Sequence, residues 1–130
     1  MQATDNQWYL SHDFLGREAA EGSIFMDYRN SNDFSDDVAV VYGHRMNGDL
    51  MFSNIAKYDD ENYMLNHSYG ELILRGGRKI GLKANEFRRI DADDALYRNF
   101  ELNGYDSAFV LSTCDRADHE KRDVLIMTTK

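Results

Sequence analysis

The chain has 130 residues, one cysteine and a formal net charge of −8. This length suits a single domain with one core, and a hydrophobic content of 42% indicates a folded chain rather than a disordered one. The acidic balance argues against a nucleic-acid partner and against electrostatic docking on an anionic membrane, because both need a basic face. One cysteine also excludes an internal disulfide and any site built from several thiolates.

The sequence contains no apolar run of about 18 residues and does not open with a signal peptide. We therefore expect one domain over residues 1–130, with membrane contact only through an anchor that is not in this chain.

Two strands are predicted in the first third of the chain. Residues 23–28 read as a short strand, and a polar loop follows at residues 30–37. Residues 38–42 form a continuous apolar run rich in β-branched side chains, which is typical of a buried strand. We predict that this strand stops at Gly43 and His44.

A helical region is predicted next, within residues 49–67. Its apolar residues recur at the spacing of an amphipathic helix: Met51, Phe52, Ile55 and Tyr58. The acidic residues 59–61 predict the start of a second helical turn, because negative charge stabilises a helix N-terminus.

Strands dominate the second half of the chain. Residues 71–75 and 78–83 flank Gly76 and Gly77, a pattern that predicts a β-hairpin. The remaining predicted elements are strands at 87–90, 108–111 and 124–127 and a short helix at 91–100. The sequence therefore predicts a mainly β domain, a closed or nearly closed barrel with a helix packed outside. Its strands should pair mostly antiparallel, since long helical crossovers are absent.

Three reactive side chains lie at the ends of predicted strands. His44 follows the strand at 38–42, Cys114 follows that at 108–111, and Arg122 precedes the last one. If the last two strands form an antiparallel hairpin, Cys114 and Arg122 become neighbours at one rim of the sheet. A thiolate there is a nucleophile, an imidazole transfers protons and a guanidinium stabilises a developing oxyanion.

Each of the three residues also has a structural interpretation, which is the commoner one for its type taken alone. A lone cysteine beside an apolar strand is usually a small core residue, and an arginine in a charged loop is usually solvated. The surrounding motifs decide between the two interpretations.

These motifs resemble those of class B sortases. The segment Leu-Ser-Thr-Cys at 111–114, an acidic loop and Arg122 resemble the active-site hairpin of sortases. Tyr-Gly-His at 42–44 resembles their catalytic-histidine segment. Residues 22–30 resemble the preceding class B strand, and residues 47–58 resemble the helix that follows the histidine. Together these segments cover most of residues 6–67 and 108–130.

The resemblance implies an eight-stranded β-barrel with one or two short peripheral helices and a cysteine transpeptidase activity without a cofactor or metal. Cys114 would be the nucleophile that forms a thioacyl intermediate with a sorting-signal peptide of a surface protein, His44 the general acid/base and Arg122 the substrate and oxyanion clamp. An amine from a peptidoglycan precursor or a pilin would then take the acyl group, at the outer face of a Gram-positive cell membrane. The residues that would contact the signal peptide are Asn6, Leu10, Ser112 and Asp115.

One region departs from the class B pattern. Class B sortases carry a substantial helix before the cysteine strand, and it forms one wall of the signal groove. Here residues 81–106 are short and contain only the helix predicted at 91–100. We therefore expect a more open groove, and two alternatives stay open: a sortase-like barrel that binds a peptide without turnover, and a hydrolase.

Overall fold

The computed structural model describes residues 2–45, 51–114 and 120–129, and for Cys114 it describes the backbone alone. Within these residues, six strands form one sheet in the order β1-β2-β5-β6-β4-β3. The strands are β1 (Phe25–Met26), β2 (Val38–His44), β3 (Tyr69–Ile73), β4 (Lys79–Asp91), β5 (Ala108–Cys114) and β6 (Lys121–Thr129). Adjacent strands are antiparallel except β2 and β5, which are parallel. The predicted mainly β fold with mostly antiparallel pairing is confirmed, although the described residues contain six strands where the resemblance implied eight.

Three predicted strands are longer than their apolar runs. The prediction that the first long strand stops at Gly43 and His44 is wrong, because β2 includes both residues. Their backbones pair with Thr113 and Cys114 of β5, so cross-strand pairing carries both strands beyond their apolar residues. Likewise β6 begins before Arg122, and β4 joins two predicted strands into one of 13 residues.

The helical region after β2 consists of two short pieces, and the first is a 3-10 helix rather than the amphipathic helix predicted there. A 3-10 helix spans Ser53–Asp59, and α1 spans Glu61–Asn66. Asp60 separates them with an extended backbone because it caps α1: its carboxylate accepts hydrogen bonds from the amides of Asn62 and Tyr63. The predicted second helical start is therefore confirmed, while residues 49 and 50 of the prediction lie outside the described residues.

The Gly76-Gly77 hairpin is confirmed, with Ile73 paired to Lys79 and positive φ angles at both glycines. The short helix predicted at 91–100 is also confirmed as α2 (Ala95–Asn99), which Asp94 caps.

Apolar side chains cover both faces of the sheet. One face, which includes the side chains of Phe25 and Tyr42, packs against Leu96 of α2. The other packs against Ile55 of the 3-10 helix, with Phe52 partly buried beside it. Because successive side chains of a strand alternate between the two faces, β2, β5 and β6 are fixed from both sides. None of the helices in the described parts of the chain is long and apolar enough to cross a membrane.

Candidate active site

The three predicted catalytic residues meet at one rim of the sheet. The parallel register of β2 and β5 sets the backbone of His44 beside that of Cys114. The antiparallel register of β5 and β6 pairs Ser112 with Val124, and extending this register by two residues sets the backbone of Cys114 opposite that of Arg122. The predicted hairpin of the last two strands is therefore confirmed, and β2 adds His44 on the other side of β5.

His44 is buried and held by the backbone of the N-terminal segment. The residue is 5% exposed, and Nε2 lies 2.5 Å from the carbonyl oxygen of Leu10. Because a carbonyl oxygen only accepts hydrogen bonds, Nε2 carries a hydrogen in this contact, which leaves Nδ1 as the ring nitrogen for proton exchange. Leu10, predicted as a substrate contact, thus also fixes the tautomer of His44.

A pocket of about 200 Å³ opens beside this rim, which we call the site pocket. Its lining residues come from the N-terminal segment, the sheet and the α2 region: Asn6, Gln7, Leu10, Phe25, Tyr42, Ala92, Tyr97, Ser112, Thr113 and Arg122. The predicted site residues Asn6, Leu10, Ser112 and Arg122 are therefore brought together in one pocket. The fifth residue predicted near it, Asp115, lies outside the described residues.

Arg122 contributes to the wall of the site pocket. The side chain is half-buried, and Nη1 donates a hydrogen bond to the carbonyl oxygen of Lys121 at 2.8 Å. A positive charge in a partly enclosed pocket interacts more strongly with a bound carbonyl or oxyanion than it would in open water.

Tyr97 of α2 is a pocket residue that the sequence analysis missed. Its hydroxyl lies 2.7 Å from the hydroxyl of Ser112, and its ring stacks on that of Tyr42. The available signal was an aromatic residue within the short helix predicted before the cysteine strand. Because α2 forms part of the wall of the site pocket, Tyr97 lines this pocket.

The side chain of Asn6 already has two internal partners. Nδ2 donates to Oδ2 of Asp27 at 3.0 Å, and the side-chain oxygen accepts from the amide of Tyr28 at 2.9 Å. Asn6 therefore fastens the N-terminal segment to the turn after β1. A substrate contact by Asn6 stays a prediction, and such a contact would share an amide that already has these two bonds.

Asp27 is a fully buried carboxylate beneath this segment. It accepts hydrogen bonds from the hydroxyl of Tyr42 at 2.8 Å and from Nε and Nη2 of Arg29 at 3.0 and 2.9 Å. Burial raises the pKa of Asp27, but the hydrogen bonds from Arg29 and Tyr42 outweigh it and hold the pKa below its usual value. The ion pair in turn raises the pKa of Arg29, chiefly through its hydrogen bonds to Asp27.

A second buried carboxylate, Asp123, lies on the other face of the sheet from Arg122. It accepts a hydrogen bond from Nε of Arg89 at 2.8 Å and pairs with Arg45 at 3.5 Å. Its backbone amide donates to the hydroxyl of Thr113 at 3.0 Å. Arg45 follows His44, and Thr113 precedes Cys114, so these contacts tie together the ends of the strands that carry the three reactive residues.

In the described parts of the chain, no group of three or more His, Cys, Asp or Glu side chains is arranged to hold a metal ion.

Comparison with known proteins identifies relatives for this architecture. No protein-family model matches the chain. Sortase B of Listeria monocytogenes is 32% identical over 150 residues, which cover 97% of this chain and 61% of the relative. The chain thus spans about three-fifths of the length of the curated relatives it matches. Since the alignment has 150 positions and the chain 130 residues, at least 20 positions (150 − 130) have no counterpart here.

Two solved structures match the fold. The X-ray structure of Clostridium perfringens sortase B aligns with a TM-score of 0.83 and 25% identity, covering 100% of this chain and 85% of that one. A Staphylococcus aureus sortase B–substrate complex aligns with a TM-score of 0.81 and 22% identity, covering 99% and 71%. In sequence over nearly its whole length and in fold, the chain is similar to the class B sortases.

Proposed function

We propose that this chain is the catalytic domain of a cysteine transpeptidase that acts on sorting signals of surface proteins. The observation that carries the proposal is the register of β2, β5 and β6, which groups His44, Cys114 and Arg122 beside one pocket. The similarity to sortase B supports a transpeptidase reaction for that grouping. The outer face of a Gram-positive cell membrane is the location that fits this chemistry.

The proposed reaction begins with attack by the Cys114 thiolate on the carbonyl carbon of a threonine in the signal. A sulfur–carbon bond forms, the carbon–nitrogen bond breaks, and His44 gives its proton to the leaving amine. We assign this transfer to Nδ1, because Nε2 is held by the carbonyl of Leu10. The guanidinium of Arg122 stabilises the oxyanion that develops on the threonine carbonyl.

An incoming amine completes the proposed cycle. It attacks the thioacyl carbon, gives up a proton to His44 and releases the Cys114 thiolate, so the enzyme returns to its starting state. A peptidoglycan precursor or a pilin lysine supplies an amine of this kind. The sortase B–substrate complex among the structural relatives supports the binding of a signal peptide in such a pocket.

The proposal is tested by intact-protein mass spectrometry after incubation with a library of signal-like peptides. The wild-type chain should gain a thioacyl adduct that is absent in Cys114→Ala, and an added amine should turn the adduct into a transfer product. The proposal fails if no peptide is cleaved and a thiol probe labels Cys114 no faster than a model thiol.

A non-catalytic peptide-binding domain is the second candidate. It is favoured by the short connection between β4 and β5, where α2 has only five residues. Peptide binding that persists in Cys114→Ala, without cleavage by the wild-type chain, would establish this alternative. Release of free acid with no transfer to an added amine would instead identify a hydrolase.

A further inference from the structure

The site pocket has two walls that come from distant parts of the chain. One is the N-terminal segment, with Asn6 and Leu10, and the other is the α2 region, with Ala92 and Tyr97. The turn after β1 lies between them and carries the ion pair of Asp27 and Arg29. The width of the pocket therefore depends on how this turn holds each wall.

Arg29 holds the wall formed by α2. Besides its bonds to Asp27, its guanidinium donates to the carbonyl oxygen of Tyr97 at 2.6 Å and to that of Arg98 at 2.8 Å. The last carbonyls of a helix have no partner within the helix, and five residues are too few for a helix to be stable alone. Arg29 donates a hydrogen bond to each of these two carbonyl oxygens, and it also supplies a positive charge, which stabilises a helix C-terminus.

Phe100, the residue that caps the C-terminus of α2, also contacts Arg29. Phe100 has a φ of +59°, a left-handed conformation that is strained for a bulky side chain. The guanidinium carbon of Arg29 lies 4.5 Å from the centre of its ring, a cation–π contact that keeps Phe100 in place.

Asp27 extends the same connection to the N-terminal wall. Its Oδ2 accepts from Asn6 and from Tyr42, and its backbone carbonyl accepts from the side-chain amide of Gln2 at 3.0 Å. One buried carboxylate thus bonds the N-terminal wall and Tyr42 directly, and α2 through Arg29.

We propose that Arg29, acting through Asp27, is a positioning residue that sets the distance between the two walls of the site pocket and so determines how well the signal peptide binds. This inference rests on the proposed function for its substrate. The connection between β4 and β5 contains one short helix, α2, and the guanidinium of Arg29 holds this helix in place as a wall of the site pocket.

The chain offers a closely matched control in Arg88. Its side chain is 27% exposed, against 30% for Arg29, and it too binds a carboxylate through two nitrogens, that of Glu86, at 2.9 Å. It also donates to a backbone carbonyl, that of Asn103. Within the described residues, Arg88 is not part of the lining of the site pocket.

The experiment compares Arg29→Met, Arg29→Lys and Arg88→Met by steady-state kinetics with a cleaved signal peptide. Arg29→Met should raise KM by about tenfold with kcat within about twofold, since a displaced wall weakens binding and leaves the reacting groups in place. Arg29→Lys should give an intermediate KM, because an ammonium keeps the charge without the planar fork. The rate of Cys114 alkylation by iodoacetamide should be the same in all three variants and the wild type. Arg88→Met should keep the wild-type KM.

The proposal is overturned if Arg29→Met leaves KM unchanged, or if Arg88→Met raises KM as much as Arg29→Met. Hydrogen–deuterium exchange separates this failure from failure of the proposed function, because it needs no substrate. Arg29→Met should speed exchange in both residues 2–10 and residues 95–100, while Arg88→Met should leave residues 2–10 unchanged. If no peptide is cleaved but both walls loosen together in Arg29→Met, the positioning role stands and the proposed activity fails. If neither wall loosens, the positioning role is wrong.

Discussion

The two ionisable residues proposed to act with Cys114 are each hydrogen-bonded to a backbone carbonyl oxygen. A backbone carbonyl fixes the tautomer of His44, so the side chain of Leu10 is not needed for that bond. Arg122 donates a hydrogen bond to the carbonyl oxygen of Lys121, and the residue lines the site pocket. At the scale of single residues, the proposed roles are separable: His44 transfers protons, and the planar guanidinium of Arg122 stabilises the oxyanion.

Arg122→Lys tests the role of that shape. A lysine keeps the positive charge but presents a single ammonium in place of a planar fork of donors. We expect kcat for peptide cleavage to fall about 10²- to 10³-fold, the typical cost of losing one oxyanion donor. Alkylation of Cys114 should stay within about twofold, because the charge near the thiol is retained.

Arg17→Lys is the control for this substitution, since Arg17 is an exposed arginine paired with Asp13. It should leave both measurements unchanged. An Arg122→Lys variant with wild-type kcat would show that a positive charge alone is sufficient and that the fork has no special part.

At the scale of elements, close packing of Phe52 on Gly43 holds the strand end that carries His44. A Cβ atom added to Gly43 would lie 2.7 Å from Cγ of Phe52. The backbone amide of Phe52 also donates a hydrogen bond to the carbonyl oxygen of His44 at 2.9 Å. Phe52 therefore contacts the end of β2 through both its ring and its backbone. Phe52 packs with Ile55 and other core residues, which leaves its ring little room to move.

We therefore expect Gly43→Ala to lower the free energy of unfolding by about 1–3 kcal/mol, the usual cost of an extra methyl group in a packed site. Urea denaturation followed by tyrosine fluorescence measures this difference. Gly70→Ala is the matched control, because Gly70 is also in a strand and its added Cβ would meet only Cε of Met127 at 3.6 Å. A Gly43→Ala variant as stable as Gly70→Ala would mean that Phe52 moves aside freely.

The elements also show which parts of the molecule could be predicted. The apolar runs at 38–42, 108–111 and 124–127 identified three core strands, because burial on both faces gives a continuous apolar pattern. The extension of β2 through His44 could not be seen, since it depends on pairing with β5. The acidic residues 59–61 correctly marked the start of the second helical piece, while the apolar spacing before them did not show that the first piece is a 3-10 helix.

The candidate site could also be predicted in part. Cys114 and Arg122 could be brought together because a hairpin between consecutive strands is a local feature, and the motif around His44 supplied the third residue. The partners of Arg29 could not be predicted, because Tyr97 and Arg98 are 68 and 69 residues away in the chain. Hydrogen bonds over such separations follow from the tertiary fold and leave no periodic pattern in the sequence.

At the scale of the whole molecule, buried and half-buried carboxylates with lowered pKa values link stability to pH. Asp27 is one of them, and Glu86 of β4 is another. The hydrogen bonds from Arg88 lower the pKa of Glu86, burial opposes them, and a hydrogen bond from the Tyr105 hydroxyl adds to the lowering. The ionised form of each carboxylate is thus favoured in the folded chain.

The consequence for acid stability follows from the sign of the shift. A carboxyl group with a lower pKa in the folded state stabilises the fold above its unfolded pKa, and this contribution is lost as the pH falls through the folded pKa. For Glu86 the loss begins as the pH drops below its ordinary value of 4.5. We expect the free energy of unfolding of the wild-type chain to decrease with falling pH in this range.

Glu86→Gln should reduce the steepness of that decrease, because glutamine has no proton to gain. Urea denaturation at a series of pH values from about 5.5 down to 3 measures the slope. Arg88→Met should flatten the slope to a similar extent, since it removes the same hydrogen bonds from the other side. A residual slope is expected in both variants from Asp27, whose ion pair with Arg29 is untouched. If Glu86→Gln keeps the full wild-type slope, the pair of Glu86 and Arg88 does not couple folding to protonation, and the acid sensitivity belongs to Asp27 and the other carboxylates.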